Sequence, residues 1–467
     1  MAKILMIQVQ AAPYAGTAYL HSAARTHGHE FVLHLGSDLD PILRCVRDEQ
    51  PDLIGFSCMS SLYSQILPIA RRIKQQFSTP IILGGPHPSF FPDVIHESCF
   101  DMICIGEGEF ALIELLDALE RKQSFVHIRN LWVKSGGTVH KNELRPLIDP
   151  LDDAPLIDWS CYAGIPVQYS PPIAFLIRGC PYACSYCFNE TMLKLYEGKG
   201  KYVRHFSVER SIQEIQQAFK VFTRNPVVFT SDSFGLDLPW MDVLLKRYTE
   251  LTDLPFVLLL RPELVTEPCV EILAKYKCHC VAIGVESGSE RVRRDILNRR
   301  YSNKLLVEVA ERLHSRGIRL RTYNMIGIPT ETKEEVWETI DVNVKMKTDF
   351  PRGAILTPMP GTKIVQIAKE RGYLDDDFLF EDLPTTILSH SVMKKIDHSW
   401  IQNMLFLFQT AIVLPWTRPL IRQLARLKPN VLFHAWFYLV YGYLHMRSEG
   451  RSLLSYASYV FANRKYL

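Results

Sequence analysis

Two α/β layers in tandem are what this sequence predicts: an open, doubly wound parallel sheet, then a (β/α) barrel, complete or partial, and finally a helical cap. Three observations carry that reading. Residues 1–120 alternate short apolar runs with helical patterns, a second such series runs from Ile173 to about Val365, and beyond Asp377 the pattern turns helical and aromatic. Strands that alternate with helices pair in parallel and are covered on both faces. The expected domains are 1–125, a hairpin and linker over 126–165, the barrel over 166–375 and a helical domain over 376–467.

The strands of the first layer read Lys3–Gln10, Glu30–Gly36, Leu53–Met59, Pro80–Gly85 and Asp101–Gly106. Between the third and fourth, Ile66, Ile69 and Ile73 recur at three- to four-residue spacing, which predicts a helix over Leu62–Gln76. Gly84-Gly85 and Gly106-Glu107-Gly108-Glu109 fall just past strand ends, where ligands sit in such sheets. Residues 127–150, with the turn Gly136-Gly137, read as a hairpin, and Asp149–Asp158 as a linker. The barrel strands read Ile173–Arg178, Val227–Ser231, Phe256–Arg261, Val281–Glu286, Arg319–Ile326 and Ala354–Thr357.

Composition excludes several classes. Apolar residues at 47% and charged ones at 22% are those of a globular protein, not a disordered one. A balance of 53 Lys+Arg to 50 Asp+Glu is too even to argue for a nucleic-acid partner. That average hides an asymmetry: from residue 390 onward ten Lys/Arg face two Asp/Glu, or +8, leaving −5 for the rest. Eleven cysteines in 467 residues are not a secreted disulfide framework. The apolar run Ile4–Val9 is short and interrupted by Gln8, and reads as a buried strand rather than a signal peptide. A reducing, cytoplasmic setting is expected.

The chemistry starts after the first barrel strand, in Arg178-Gly179-Cys180-Pro181-Tyr182-Ala183-Cys184-Ser185-Tyr186-Cys187. Three thiolates spaced x3 then x2 wrap one soft metal centre. Zinc would want a fourth Cys or His, and none occurs between Phe188 and Arg204. Zinc completed by His205 or a more distant ligand stays as the alternative. Three ligands leave one iron of a [4Fe–4S] cluster open for another partner.

C-x3-C-x2-C with an aromatic before the last cysteine resembles the signature of radical S-adenosylmethionine enzymes. The resemblance implies that Cys180, Cys184 and Cys187 hold the cluster and that S-adenosylmethionine chelates its open iron, with Tyr186 beside it. It also implies cofactor contacts at later strand ends. These are Asp232 in Thr230-Ser231-Asp232-Ser233-Phe234, Glu286 and Ser287 in Gly284-Val285-Glu286-Ser287-Gly288, and Asn324 and Ile326 in Tyr323-Asn324-Met325-Ile326-Gly327-Ile328-Pro329. Thr357-Pro358-Met359-Pro360-Gly361-Thr362 matches the family's late motif. All lie at carboxyl ends of strands, the face where barrel chemistry collects.

The amino-terminal layer is of a flavodoxin-like, Rossmann-type pattern. Ser60-Ser61-Leu62 after its third strand, Gly84-Gly85 before Pro86-His87-Pro88, and Gly106-Glu107-Gly108 together resemble the cobalamin-binding domains that precede many radical S-adenosylmethionine barrels. A phosphate-binding P-loop is excluded, since no G-x4-G-K-[ST] occurs. The first loop, Ala11-Ala12-Pro13-Tyr14-Ala15-Gly16, lacks the cobalt-ligating histidine of mutases, as in many relatives of the radical group. His87, in a Gly-Pro-His-Pro turn, reads as a loop residue.

The resemblance implies methylation of an unactivated carbon of a small, hydrophobic substrate, with two molecules of S-adenosylmethionine used. One gives its methyl group by way of cobalamin, and the other is cleaved to the radical that abstracts hydrogen. Electrons would come from a donor such as flavodoxin or ferredoxin. Cobalamin-assisted rearrangement or cyclisation is the alternative within the class, and a non-catalytic corrinoid or iron–sulfur sensor the alternative outside it. In the tail, Arg418, Arg422 and Arg426 recur at i+4 opposite Leu420, Leu424 and Leu427. This reads as a helical cap, with peripheral membrane contact through the basic stripe as the second reading. Val431–Met446 is the most apolar run but falls short of a membrane span.

Overall fold

The computed structural model describes residues 1–10, 12–165, 171–222, 226–231, 234–383 and 391–448. They fall into two compact units: residues up to 165 with 193–222 form one, and 171–192 with 226 onward form the other.

The first unit is a seven-stranded sheet. Its strands are β1 (Lys3–Gln8), β2 (Glu30–Leu35), β3 (Leu53–Ser57), β4 (Ile81–Gly84), β5 (Met102–Cys104), β6 (Leu131–Ser135) and β7 (Thr138–Lys141), in the order β2-β1-β3-β4-β5-β6-β7. The first five are parallel, and the hairpin at Gly136-Gly137 adds β6 and β7 antiparallel to β5. Strand order reverses between β1 and β3, and the crevice beyond their carboxyl ends is where such sheets bind ligands. The strands stop one or two residues sooner than their apolar runs suggest. After β1 the reason is visible: the Gln8 amide folds back to donate to the carbonyls of Gln10 and Ala12, at 2.7 and 2.6 Å. Helices Ala15–Thr26 and Glu109–Glu120 cover one core through Ala24, Ala111, Leu112, Leu115 and Leu116, packed with Ile4, Met6, Leu53, Ile82 and Met102.

The second unit carries six parallel strands: β8 (Ile173–Ala174), β9 (Val227–Phe229), β10 (Phe256–Leu260), β11 (Cys280–Glu286), β12 (Arg319–Ile326) and β13 (Phe350–Ile355). They pair in simple sequence from β8 to β13, a partial barrel. Burial alternates along it. Leu259, Gly284, Tyr323, Met325, Arg352 and Ala354 are partly open on one face, while Leu258, Ile283, Thr322, Asn324 and Ile326 are buried on or near the other. Register places Gly284, Tyr323 and Arg352 side by side on the open face.

The last strand begins four residues before the sequence reading of Ala354–Thr357. Pro351 and Gly353 look like strand breakers, but β13 is an edge strand, and an edge tolerates a residue without an N–H. Gly353 also admits Phe408, whose ring would lie 3.0 Å from an added Cβ.

Helix His398–Val413 packs against β12, β13 and helix Lys333–Lys345 through Trp400, Ile401, Met404, Leu405 and Phe408. The basic stripe lies on the outer side of the cap: Arg422 and Arg426 are exposed, and Arg418 is partly buried. Arg418 pairs with Asp341 and Arg422 stacks over the Trp337 ring at 4.1 Å, while Ile421, Leu424 and Ala425 pack inward and Leu420 and Leu427 stay exposed. No helix among the described residues is long and apolar enough to cross a membrane.

The helix layer is tied to β12 by Asn343. Its amide accepts from Thr322 (2.6 Å) and Thr348 (3.1 Å) and donates to Asn324 (2.8 Å) and to the Thr339 carbonyl (2.8 Å). Asn343→Ala leaves several buried polar groups without partners and is expected to lower stability by about 3 kcal/mol, read by urea unfolding.

Candidate functional site

The three cysteines stand on a loop that runs from β8 to helix Asn189–Leu195, and the loop is held from several sides. The Asn189 amide donates to the carbonyls of Cys180 and Tyr182, and the Asn298 amide to that of Ala183 at 2.7 Å. Ser185 donates through its N–H to Leu297, and its own carbonyl accepts from Ile364 N at 2.7 Å. Arg261, at the end of β10, lies over the Tyr182 ring at 3.6 Å and donates to Cys184 Sγ at 3.2 Å. Cys184 is buried, Cys180 half-buried and Cys187 exposed, and none is in a disulfide.

Burial pushes the thiols of Cys45, Cys58, Cys99, Cys104, Cys161, Cys269, Cys278 and Cys280 up, so each of those eight stays protonated and inert. One tetrahedral zinc would draw its sulfurs to about 3.8 Å apart. Among the described residues the set of three ligand atoms within 4.8 Å of one another is His29, Asp117 and Glu120, not the cysteines. His205 belongs to the other unit, where its Nδ1 meets the Phe206 carbonyl at 2.9 Å. The donor set fits a cluster in which each thiolate binds its own iron.

Tyr186, between the second and third cysteines, donates to Glu286 Oε1 at 2.9 Å; Arg299 donates to the same oxygen at 2.6 Å and to the Tyr186 hydroxyl at 2.7 Å. Burial, then the Glu286 charge, holds the Tyr186 phenol well above its usual range, so it remains a donor. Glu286 follows an irregularity in the β11–β12 register and has φ +63°, a left-handed conformation rare outside glycine. Its carboxylate folds back over Gly284, where a Cβ would overlap it. Ser287 is buried and its hydroxyl reaches Glu331 at 3.4 Å.

Tyr186 and Glu286 are thus brought together, with Ser287 behind them. Asn324 and Ile326 are not. The Asn324 side chain is used by Thr322, Asn343 and the Arg352 carbonyl, and Ile326 packs with Trp337, Ile340 and Trp400 on the helix side. Asp232 lies outside the described residues. Sequence reasoning missed Arg261, Arg299 and Glu331. Arg261 has no spacing signal, because Cys184 is 77 residues away; Arg299 reaches Glu286 across 13 residues and Tyr186 across 113, neither a helix nor a strand period. Glu331, four residues after Gly327, accepts from the N–H groups of Gly327 (2.8 Å) and Ile328 (3.3 Å) and shapes that turn.

In the first unit the candidate cobalamin residues border the switch point. Ser60 and Leu62 form a short turn after β3, and Ser60 Oγ meets His87 Nδ1 at 3.1 Å. His87 is fully buried against the Tyr63 ring, 4.3 Å between centroids, and burial lowers it to about 4, so it is a neutral core residue. Gly85 has φ +95°, and a Cβ there would strike the Cys58 backbone at 2.9 Å. Gly84 has ordinary space around it. Gly106, φ +76°, makes room for Tyr196, whose hydroxyl accepts from Glu107 N at 2.8 Å. Glu107 is paired with Arg204 at 2.8 Å and accepts from Ile148 N at 3.0 Å, while Gly108 sits beside Cys104. Ser60 and Leu62 are buried, Ser61 and Gly84 are partly open, and the Gly106–Gly108 turn is engaged by protein.

Gly106→Ala is expected to lower stability by about 3 kcal/mol, from overlap and a left-handed backbone, and Tyr196→Phe in that background to recover about 1 kcal/mol. Thermal unfolding of the two single variants and the double closes that cycle. Glu331 gives a pH test. Burial pushes its carboxyl up to about 8, against the lowering by the two backbone donors. Between an unfolded value near 4.3 and about 8 the folded state holds the extra proton, so stability is full at low pH and falls as pH rises through that window. Glu331→Gln should flatten the slope by up to about 1.4 kcal/mol per pH unit, measured by urea unfolding from pH 5 to 8.

Comparison with known proteins places these two sites in context. The family model for the B12 binding domain matches residues 9–116, and that for the radical SAM superfamily matches residues 175–342. An uncharacterized methyltransferase of Pyrococcus horikoshii is 28% identical over 368 residues, 76% of this chain and 78% of the relative. The anaerobic magnesium-protoporphyrin IX monomethyl ester cyclase of Rubrivivax gelatinosus is 24% identical over 76% of this chain, which spans 66% of that enzyme. Among solved structures, the cobalamin-dependent S-adenosylmethionine radical enzyme OxsB shares the fold at TM-score 0.68, 15% identity, over 100% of this chain and 75% of its own. The radical S-adenosylmethionine methyltransferase TsrM from Kitasatospora setae does so at TM-score 0.63, 16% identity, over 79% of this chain and 75% of its own. With a B12 binding domain ahead of a radical SAM domain, the chain belongs to the cobalamin-binding radical S-adenosylmethionine enzymes, whose cofactors are a [4Fe–4S] cluster, S-adenosylmethionine and cobalamin.

Proposed function

We propose that this enzyme is a C-methyltransferase that adds a methyl group to an unactivated carbon of a small, hydrophobic molecule. One observation carries the reading: a B12 binding domain and a three-thiol loop occur in one chain whose relatives include methyltransferases. When bound, the cofactors supply a methyl group by polar transfer through cobalamin and a carbon-centred radical by reductive cleavage of S-adenosylmethionine.

The chain's own residues position these groups. Cys180, Cys184 and Cys187 would hold the cluster, with Arg261 offsetting thiolate charge at Cys184. Tyr186, Glu286, Ser287 and Asp232 would border S-adenosylmethionine, and the protonated Tyr186 keeps the Glu286 carboxylate in place. Asn324 and Ile326, with side chains committed to the helix layer, have backbone groups to offer. Ser60, Leu62, Gly84 and Gly85 would border cobalamin, and Gly106, Glu107 and Gly108 would keep the neighbouring turn in position. An external one-electron donor of the flavodoxin or ferredoxin kind completes the set. The eleven cysteines, none in a disulfide, fit a cytoplasmic enzyme. Cyclisation without methyl transfer is the second reading, supported by the cyclase relative.

Anaerobic reconstitution is expected to give about four iron per chain, and Cys180, Cys184 and Cys187 changed together to Ala to remove them. Under reducing conditions with cobalamin, the methyltransferase reading predicts S-adenosylhomocysteine in amounts matching bound cobalamin. Formation of 5′-deoxyadenosine without S-adenosylhomocysteine would favour cyclisation.

A further inference from the structure

Helix Val431–Ser448 has two faces of opposite character. One is in use. Tyr441 Oη accepts from Arg352, whose other nitrogen meets His445 Nδ1 at 2.6 Å, and Ser448 Oγ accepts from Arg321 at 2.9 Å. Phe437 is buried against Phe406. This face therefore closes on side chains of β12 and β13 that belong to the open side of the sheet.

The other face is apolar and exposed. Leu432, Trp436, Leu439 and Tyr443 recur at spacings of four, three and four, one stripe of an α-helix, and Arg447 continues it. The preceding segment adds Leu414, Trp416, Leu420 and Leu427, with Trp416 77% exposed and Val431 76% exposed. A hollow of about 740 Å³ adjoins the stripe, lined by Val413, Leu414, Trp436, Leu439 and Tyr443, with Lys347 and Arg447 as its cations. Asp349 is the acid in that lining, and it is paired with His314 at 3.0 Å.

Charge decides what such a face fits. Residues 401–448 contain Arg418, Arg422, Arg426, Lys428 and Arg447 and no Asp or Glu. Soluble proteins rarely leave so continuous an apolar patch uncovered. Trp and Tyr among leucines, bordered mainly by cations, with Asp349 already paired to His314, suit the boundary between headgroups and acyl chains. A protein partner would more often be met with charges of both signs.

We propose that this face docks on the surface of a membrane that carries anionic lipid. Trp416, Leu420, Leu432 and Leu439 insert among the acyl chains, and Arg426, Lys428 and Arg447 lie at the headgroups. Arg418, partly buried and paired with Asp341, takes no part, and Arg422 is exposed but stacked on Trp337. The docked helix is the one whose opposite face touches Arg321 and Arg352, so an amphipathic substrate dissolved in the bilayer would meet the sheet's open side at this helix. The surface does not depend on which reaction the enzyme performs.

The test is flotation of the reconstituted full chain with vesicles of phosphatidylcholine alone or with phosphatidylglycerol. The wild type should float with the anionic vesicles and at least fivefold less with the neutral ones. Trp416→Ser, Leu420→Ser, Leu432→Ser and Leu439→Ser combined change exposed side chains only, and should cut flotation at least tenfold while iron content and circular dichroism stay unchanged. Arg426→Gln with Lys428→Gln should cut it severalfold on anionic vesicles alone. A wild type that stays at the bottom of the gradient overturns the proposal, as does a serine variant that floats equally well. A dimer in sedimentation that the serine variant dissociates, with no flotation, assigns the face to a second copy and overturns it too.

Discussion

The ion pair between Glu286 and Arg299, 2.6 Å apart and nearly closed to water, is the interaction on which the cysteine loop depends. A buried carboxylate is tolerated only when matched, and here one guanidinium and one phenol share the same oxygen. Because Tyr186 stands between Cys184 and Cys187, the position of β11 is passed to the thiols through a single hydrogen bond. The strand accepts a left-handed residue at Glu286 to allow this, and Gly284 leaves the space into which the carboxylate turns. The geometry is over-determined by neighbours, which is how strained backbone persists at sites of this kind.

The first unit uses the same physics to hold a turn. Glu107 faces Arg204 at 2.8 Å and also takes the N–H of Ile148, so a segment almost a hundred residues later is fastened to the end of β5. Glycine has different meanings along this rim. At Gly85 it lets the chain pass the Cys58 backbone, and at Gly106 it admits Tyr196. Gly84 alone of the three has ordinary space around it. A glycine after a strand signals close approach, and only the partner distinguishes a cofactor from the protein itself.

The carboxyl-terminal helices show how tertiary partners modify a helical pattern. Arginines at i+4 opposite leucines suggest a basic face in water. Arg422 and Arg426 are exposed and Leu424 packs inward, whereas Asp341 draws Arg418 partly in and Leu420 and Leu427 stay exposed. The apolar stripe of Val431–Ser448 is likewise set by which residues Arg321 and Arg352 engage on the opposite side.

Most of the fold was legible in the residues alone, because it rests on local periodicity. Ten parallel strands lie within a few residues of their apolar runs, and the hairpin turns at Gly136-Gly137. The exception, β13, was hidden by Pro351 and Gly353, whose meaning changes at an edge. The three cysteines were equally legible, since their spacing is itself the chemistry. The rest of the site was not. The contacts of Arg261 with Cys184, Arg204 with Glu107 and Arg299 with Tyr186 span 77 to 113 residues, and no periodic signal covers such distances; the 13 residues between Glu286 and Arg299 match no helix or strand period either. Asn324 and Asn343 face each other because adjacent residues of a strand point to opposite sides, which sent Asn324 to the helix layer. Sequence alone determined which strands form, where the thiols stand and which family the chain resembles, since each of these depends on neighbours along the chain. Which charges are paired, which glycines are filled and which face of the last helix meets solvent were decided by tertiary contacts, because burial belongs to the packed molecule and not to any one segment.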